Sequence, residues 1–287
     1  MNNTVTEKLR KLLHDGQAHL TPACFDALSA RLVERAGFDV SFMSGFAVSA
    51  ARLGLPDTGL ISYSEMLDQG RNICGAADIP IIGDADTGYG NALNVRRTIE
   101  GFSRAGFACA MVEDQLAPKR CGHTRGKAVV DRDEALLRIK AAIDAREDGA
   151  DILIMARTDA RATDGFDEAM WRMKAFADAG ADILFLEAPQ SEEEMEAFCN
   201  GVSGPKMANL IEQGDTPLLT INTLGQMGFS IVLYPLTLLN SAMTAMENAL
   251  NCLAEGVSPP GLSDFSYLRN VVGFDSYYEA EKRYSQK

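Results

Sequence analysis

Asp84 and Asp86 sit on alternate residues at the end of one apolar run, residues 79–84, and Glu113 ends the next, residues 108–114. Carboxylates leaving adjacent buried strands would gather hard oxygens in one wet cavity, the donor set for Mg2+, with Mn2+ as the other ion such a site accepts. A lone D-x-D has a plainer use as cap of the helix expected near Leu93. The concentration of acids on neighbouring strand ends is what favours metal. Shortly afterwards Lys119, Arg120, Cys121, Gly122 and His123 follow one another. Charge runs are usually solvated loops, yet a cysteine among cations has its thiolate favoured and can give or take a proton near neutral pH. Gly122 and Gly126 would let this stretch move as a lid. Arg157 ends another apolar run. In a chain with 40 acidic residues it could be a structural ion pair, and its fork also suits a substrate carboxylate.

The elements that must position these residues alternate along the whole chain. Short apolar runs cover residues 40–44, 79–84, 108–114, 152–157, 183–187, 206–210 and 230–235, and the segment around 20–24 supplies a first strand. The intervals are long enough for helices. Several end in Ala-Gly turns, at Gly37, Gly106 and Gly180, the usual left-handed stop before the next strand. Near-continuous apolar strands alternating with helices indicate a parallel sheet, and eight repeats predict closure into a (β/α)8 barrel of the TIM type, an α/β fold; an open doubly wound sheet is the alternative. Chemistry in such a barrel belongs at the carboxyl ends of strands. There the sequence has Ser44-Gly45-Phe46, Asp84 to Gly90, Glu113-Asp114-Gln115, Arg157-Thr158-Asp159, Glu187, Asn209 and Tyr234-Pro235.

A chain of 287 residues is expected to be one barrel domain, with residues 243–287 as a C-terminal helical extension. Residues 236–255 read as a helix, Pro259-Pro260-Gly261 breaks it, and residues 262–284 resume helical spacing with many aromatics. A barrel needs one closing helix, so the surplus apolar tail is expected to pack on another subunit, exchanged between copies of a homotetramer built as a dimer of dimers. A net charge of -13 argues against nucleic acid and anionic membranes as partners. No apolar run approaches a membrane span and residues 1–17 carry no signal-peptide core, so the cytosol is the expected location. The six cysteines form no C-x-x-C pair, which suits neither a disulfide framework nor a zinc site.

Taken together, these residues resemble the isocitrate lyase and phosphoenolpyruvate mutase superfamily, from about Thr21 to the C-terminus. Lys119 to His123 reads as the signature of the lyase branch and Asp84 to Gly90 as the superfamily's metal motif. Ser44 to Ala50, Gly54 to Asp57, Val112 to Gln115, Ala156 to Ala160 and Phe185 to Pro189 look like further blocks in the same order. Within that branch the chain is most similar to 2-methylisocitrate lyases and to the group of 2,3-dimethylmalate lyase and the petal death protein; His123 to Val130 and Met227-Gly228-Phe229 lean toward the latter.

The resemblance implies a Mg2+-dependent carbon-carbon lyase that cleaves a 2-hydroxy di- or tricarboxylate to pyruvate or glyoxylate and a simpler acid. It implies that Asp84 binds the ion directly while Asp57, Asp86 and Glu113 support it through water. Ser44, Gly45 and Phe46 would hold the keto-acid part of a small carboxylate substrate, and Arg157 would pair with its carboxylate. Asp57, Gly122, His123, Glu187 and Asn209 would complete the pocket. Lys119, Arg120, Cys121 and His123 would form the catalytic loop, with Cys121 as proton donor to carbon. Some members have a tyrosine where Phe42 stands, and bacterial methylisocitrate lyases tend to carry proline at Leu186, which leans away from the tricarboxylate. The alternative on the same barrel is hydrolysis or decarboxylation of oxaloacetate, or phosphonate chemistry of the carboxyphosphonoenolpyruvate kind.

Overall fold

Strands β1 (His19–Cys24), β2 (Ser41–Met43), β3 (Ile81–Asp84), β4 (Cys109–Glu113), β5 (Leu153–Thr158), β6 (Ile183–Leu186), β7 (Met207–Asn209) and β8 (Ile231–Tyr234) alternate with helices in a computed structural model. The structure describes residues 4–121, 126–212, 214 and 216–285. Every paired neighbour is parallel, in the order β6-β5-β4-β3-β2-β1-β8-β7. The remaining seam, between β6 and β7, is joined by a parallel bridge from Leu184 to Lys206, and the Leu184 N–H donates to the Pro205 carbonyl at 3.0 Å. The sheet therefore closes into the expected barrel, and the open doubly wound alternative is set aside.

Successive side chains along each strand divide between two cores. Phe42, Ile82, Met111, Leu153, Met155, Ile183, Phe185, Met207, Ile231 and Leu233 belong to one buried cluster, the barrel interior. Their neighbours Met43, Ile81, Ala110, Val112, Ile154, Ala156, Leu184 and Val232 belong to a second, packed against the surrounding helices. This is the period of two that any strand imposes, with both faces buried because helices cover the outside. The helix Val5–Leu13, which the sequence reading did not anticipate, adds Leu9 and Leu13 to the interior cluster and so closes its amino end.

Close packing on the outer face explains one glycine. A Cβ on Gly83 would stand 2.8 Å from both Phe102 and Phe107, whose rings stack at 4.7 Å. Asn91 caps the helix Ala92–Ala105 by accepting from the N–H groups of Leu93 and Asn94. The aspartates at 84 and 86 are thus not needed as caps, which removes their plainer reading.

Contacts divide the chain into two compact units, 1–238 and 239–287. The second contains most of the helix Thr237–Ala254 and the helices Phe265–Val272 and Phe274–Tyr284, separated by Gly273 at φ 86°. The single helical stretch expected after Pro260 is two helices because only glycine adopts that left-handed turn without strain. Met243, Met246, Leu250 and Leu253 recur at coiled-coil spacing and are all about half exposed or more. Among the described residues no helix is long and apolar enough to cross a membrane.

Candidate active site

The alternation that fills the barrel also builds its mouth. One step beyond the last inward apolar residue, six of the eight strands present a polar one: Ser44 above Phe42, Asp84 above Ile82, Glu113 above Met111, Arg157 above Met155, Glu187 above Phe185 and Asn209 above Met207. All six line one cleft of about 490 Å3, counted out to its open mouth, with Phe42, Met111, Phe185 and Leu233 as its floor. Lys119, Arg120 and Cys121 close one side, and Ile211, Pro235 and Leu236 form an apolar wall. Asp57 and Phe46 complete the lining.

The acidic side is a tight array. The Gly45 N–H donates to Asp84 Oδ2 at 3.2 Å, and the Asp86 N–H donates to Asp84 Oδ1 at 3.0 Å. Gly45 was expected to meet substrate; here its amide donates to Asp84, and Ser44 Oγ accepts from the Ala47 N–H as cap of the short helix Gly45–Val48. A Cβ on Gly45 would sit 2.5 Å from Asp84 Oδ2, so only glycine permits this approach. Asp86 turns back at φ 49°, a conformation that aspartate tolerates better than most residues, and its carboxylate joins Asp57 around the Lys119 ammonium. Lys119 Nζ lies 2.6 Å from Asp57 Oδ1 and 2.8 Å from Asp86 Oδ1, and all three side chains are buried.

Burial lifts the Asp86 carboxyl to about 6, with Lys119 opposing the rise and Asp84 and Asp57 adding to it. Glu113 is pushed well above the usual range, chiefly by burial, against the pull of Arg157. Burial alone would lower Lys119, but Asp86, Asp84, Glu113 and Asp57 hold it well above its ordinary value. Four carboxylates around one ammonium leave an excess of negative charge that a divalent ion would neutralise.

As they stand, no three acidic, histidine or cysteine side chains among the described residues converge closely enough to hold a metal alone. A small hard ion such as Mg2+ keeps several waters and takes one or two carboxylates directly, so it does not require such a cluster. Glu113 Oε1 is buried without a hydrogen-bond partner among the described residues, an acceptor left over for such a water. The chemistry of the donor set suits Mg2+, with Asp57, Asp84 and Glu113 lining the cleft and Asp86 against the Lys119 ammonium.

Arg157 satisfies both of its sequence readings. Its Nε and Nη2 grip Asp159 side-on at 2.8 and 3.0 Å, its Nε lies 3.3 Å from Glu113 Oε2, and it still lines the cleft. The β4–β5 register pairs Glu113 with Arg157 directly. Glu187 accepts from Asn209 Nδ2 at 3.2 Å, while Asn209 Oδ1 is buried without a partner among the described residues. Gly122 and His123 lie outside the described residues, as does part of the expected lid.

Several side-chain pairings beside these residues were not anticipated from the sequence. Gln115 clamps the backbone of Arg120 from both sides, accepting its N–H at 2.9 Å and donating to its carbonyl at 2.8 Å. Lys127 pairs with Asp159 at 2.9 Å, and Asp114 accepts from the Asp159 N–H, from Thr158 and from Arg172. Their only signal was polarity at positions that strand and helix periods assign to the interior.

The family model for phosphoenolpyruvate phosphomutase matches residues 9–254. The 2,3-dimethylmalate lyase of Eubacterium barkeri is 41% identical over 282 residues, 97% of this chain and 97% of that protein. A structure of oxaloacetate acetylhydrolase in complex with the inhibitor 3,3-difluorooxalacetate superposes with a TM-score of 0.94 at 35% identity, covering 99% of this chain and 98% of the other. A phosphonopyruvate hydrolase in complex with oxalate and Mg2+ superposes with a TM-score of 0.87 at 29% identity, covering 98% and 99%.

Proposed function

This chain belongs to the phosphoenolpyruvate mutase and isocitrate lyase superfamily, and from that premise we propose that it is a Mg2+-dependent lyase acting on a substituted malate of the 2,3-dimethylmalate or 2-methylisocitrate type. One observation carries the reading: Cys121, the carboxylates Asp57, Asp84 and Glu113, and Arg157 line the same cleft.

The substrate carboxylate pairs with Arg157, and the Lys119–Cys121 loop faces the carbon that must be protonated. Phe42 offers no proton acceptor, so the hydroxyl proton goes to a pocket carboxylate or to water. The bond between carbons two and three then breaks and its electron pair moves into the neighbouring carboxylate as an enediolate. Cys121 gives its Sγ proton to that carbon and takes one back in the reverse direction. Lys119 and Arg120 stabilise the anion while it lasts. Bound Mg2+ supplies Lewis acidity toward the oxygen of the nascent keto acid. Ser44, Gly45 and Phe46 shape the keto-acid end, and Glu187 and Asn209 complete the enclosure.

A second reading, oxaloacetate hydrolysis, is favoured by the near-complete superposition on oxaloacetate acetylhydrolase. Supplying 2,3-dimethylmalate, 2-methylisocitrate, isocitrate and oxaloacetate, each with Mg2+ and with EDTA, separates the two. Keto acid and carboxylic acid are expected from a malate in the Mg2+ arm alone; consumption of oxaloacetate alone would exclude the lyase.

We read the chain as one barrel domain whose extension, residues 243–287, serves assembly in a cytosolic homotetramer. Two apolar surfaces support this: the stripe from Met243 to Leu253, and a groove lined by Leu20, Pro22, Leu32, Val33, Phe38 and Tyr234. An uncovered apolar stripe of this kind is typical of an interface, and the extension of a second copy is its proposed occupant. Light scattering is expected to give a mass well above 31.0 kDa, and a clean monomer would rule the assembly out.

A further inference from the structure

Arg157 stands in a field of carboxylates, and one of them holds it differently from the rest. Glu113 and Glu187 approach it at 3.3 and 3.7 Å, beyond good hydrogen-bond geometry. Asp159 instead takes two of its nitrogens at once, Nε at 2.8 Å and Nη2 at 3.0 Å. A planar guanidinium gripped along that edge has one orientation left. The third nitrogen, Nη1, makes no hydrogen bond to a described residue and remains for a ligand.

Asp159 is itself fixed from behind. It is fully buried, yet it does not line the cleft. Its N–H donates to Asp114 Oδ1 at 2.9 Å, and Asp114 Oδ2 receives Thr158 Oγ at 2.5 Å and Arg172 Nη1 at 3.0 Å. Arg172 is anchored in turn by the Val130 carbonyl at 2.9 Å and by Glu168 at 2.8 Å. On its other side Asp159 meets Lys127 Nζ at 2.9 Å. A chain of buried charged groups runs from the helix Phe166–Ala179 through Arg172, Asp114 and Asp159 and ends on the Nε–Nη2 edge of Arg157.

We propose that Asp159 is a positioning residue for ligand binding: by holding the Nε–Nη2 edge of Arg157 it aims Nη1 at the carboxylate of the substrate. This rests on the reading of Arg157 as the carboxylate-binding arm. Without Asp159 the guanidinium is free to turn onto Glu113 or Glu187, and its charge is then spent inside the protein. Lys127 balances the charge of Asp159 but does not aim Arg157.

Oxalate titrated calorimetrically into the Mg2+-loaded full-length protein probes the arm without depending on which malate is cleaved, and Mn2+ binding without oxalate probes the acidic array. Asp159→Asn is expected to weaken oxalate by about tenfold or more while leaving Mn2+ affinity within about threefold. Lys127→Met is expected to leave oxalate near the wild-type value. Wild-type oxalate affinity in D159N overturns the proposal, as does an equal loss of oxalate and Mn2+ binding, which marks a merely structural role. An effect of K127M as large as that of D159N overturns it too, because charge balance would then be the cause. Should D159N fail to fold, Arg157→Lys keeps the charge but cannot be gripped along an edge; it is expected to lose oxalate to the same degree, and wild-type affinity there defeats the proposal. Failure of the wild-type protein to bind oxalate removes the carboxylate-arm reading itself and the role of Asp159 with it.

Discussion

Cys121→Ser is expected to lower turnover of the preferred malate by about 10^2 to 10^4-fold, the usual contribution of a placed acid or base, with the melting temperature and Mn2+ affinity unchanged. The exchange replaces Sγ by Oγ at a half-buried residue on the cleft wall, so little packing is lost. What is lost is a proton that leaves readily. A serine hydroxyl has no accessible anionic form near neutral pH, whereas a thiol is inherently far more acidic and exchanges its proton there. None of the other five thiols lines the cleft. Burial pushes Cys24 and Cys74 up to about 12, Cys199 to about 11 and Cys109 well above the ordinary thiol value. Product formation under saturating substrate, measured beside Mn2+ binding, checks the expectation. Turnover near the wild-type rate would take the thiol out of the mechanism.

The period of two explains how much of this was readable beforehand. Apolar runs such as 152–157 end in a polar residue on the same parity as their inward side chains, so the strand that fixes Leu153 and Met155 inside the barrel also fixes Arg157 at its mouth. The same step carries Asp84, Glu113, Glu187 and Asn209 to the rim. Strand existence, strand order and the cleft therefore came from one local rule applied eight times. Boundaries did not: β2 spans Ser41–Met43, because Ser44 leaves the sheet to cap the next helix.

Pairing between distant polar residues was not readable, because it is set by where loops return. Asp57 lies 62 residues before Lys119, yet their side chains meet at 2.7 Å. The grip of Gln115 on Arg120 and the meeting of Lys127 with Asp159 are of the same kind. Gly45 illustrates a subtler limit. Its approach to Asp84 depends on the absence of a single carbon, which matters only once β2 and β3 are side by side. Charge counting in the sequence likewise names the acids of the array but not the ammonium among them. That ammonium reduces the site's excess charge, so the ion's affinity depends on geometry rather than on the number of aspartates.

Asp84→Asn is expected to remove activity almost completely, by about 10^3-fold or more, since the electrostatic help of a bound divalent ion is worth several kcal/mol and each 1.36 kcal/mol is a factor of ten. The loss has two sources. The substitution withdraws one charge from an array that already contains the Lys119 ammonium. It also replaces one of two acceptor oxygens by a donor, although Asp84 Oδ1 and Oδ2 both receive backbone N–H groups, from Asp86 and Gly45. One of those buried amides must then go unpaired, so the loop from Asp84 to Gly90 shifts as well. EDTA should abolish wild-type turnover and added Mg2+ restore it, whereas excess Mg2+ should recover the variant only in part. Protons compete for the same oxygens. Burial lifts Asp86 to about 6 and pushes Glu113 well above the ordinary carboxyl value, so as pH falls these groups take up protons and the array loses negative charge. Mn2+ affinity of the wild-type protein should accordingly fall as pH drops through about 6. An affinity flat from pH 8 to about 5 would mean that neither Asp86 nor Glu113 senses the ion, and the metal would have to be sought elsewhere than above β3 and β4.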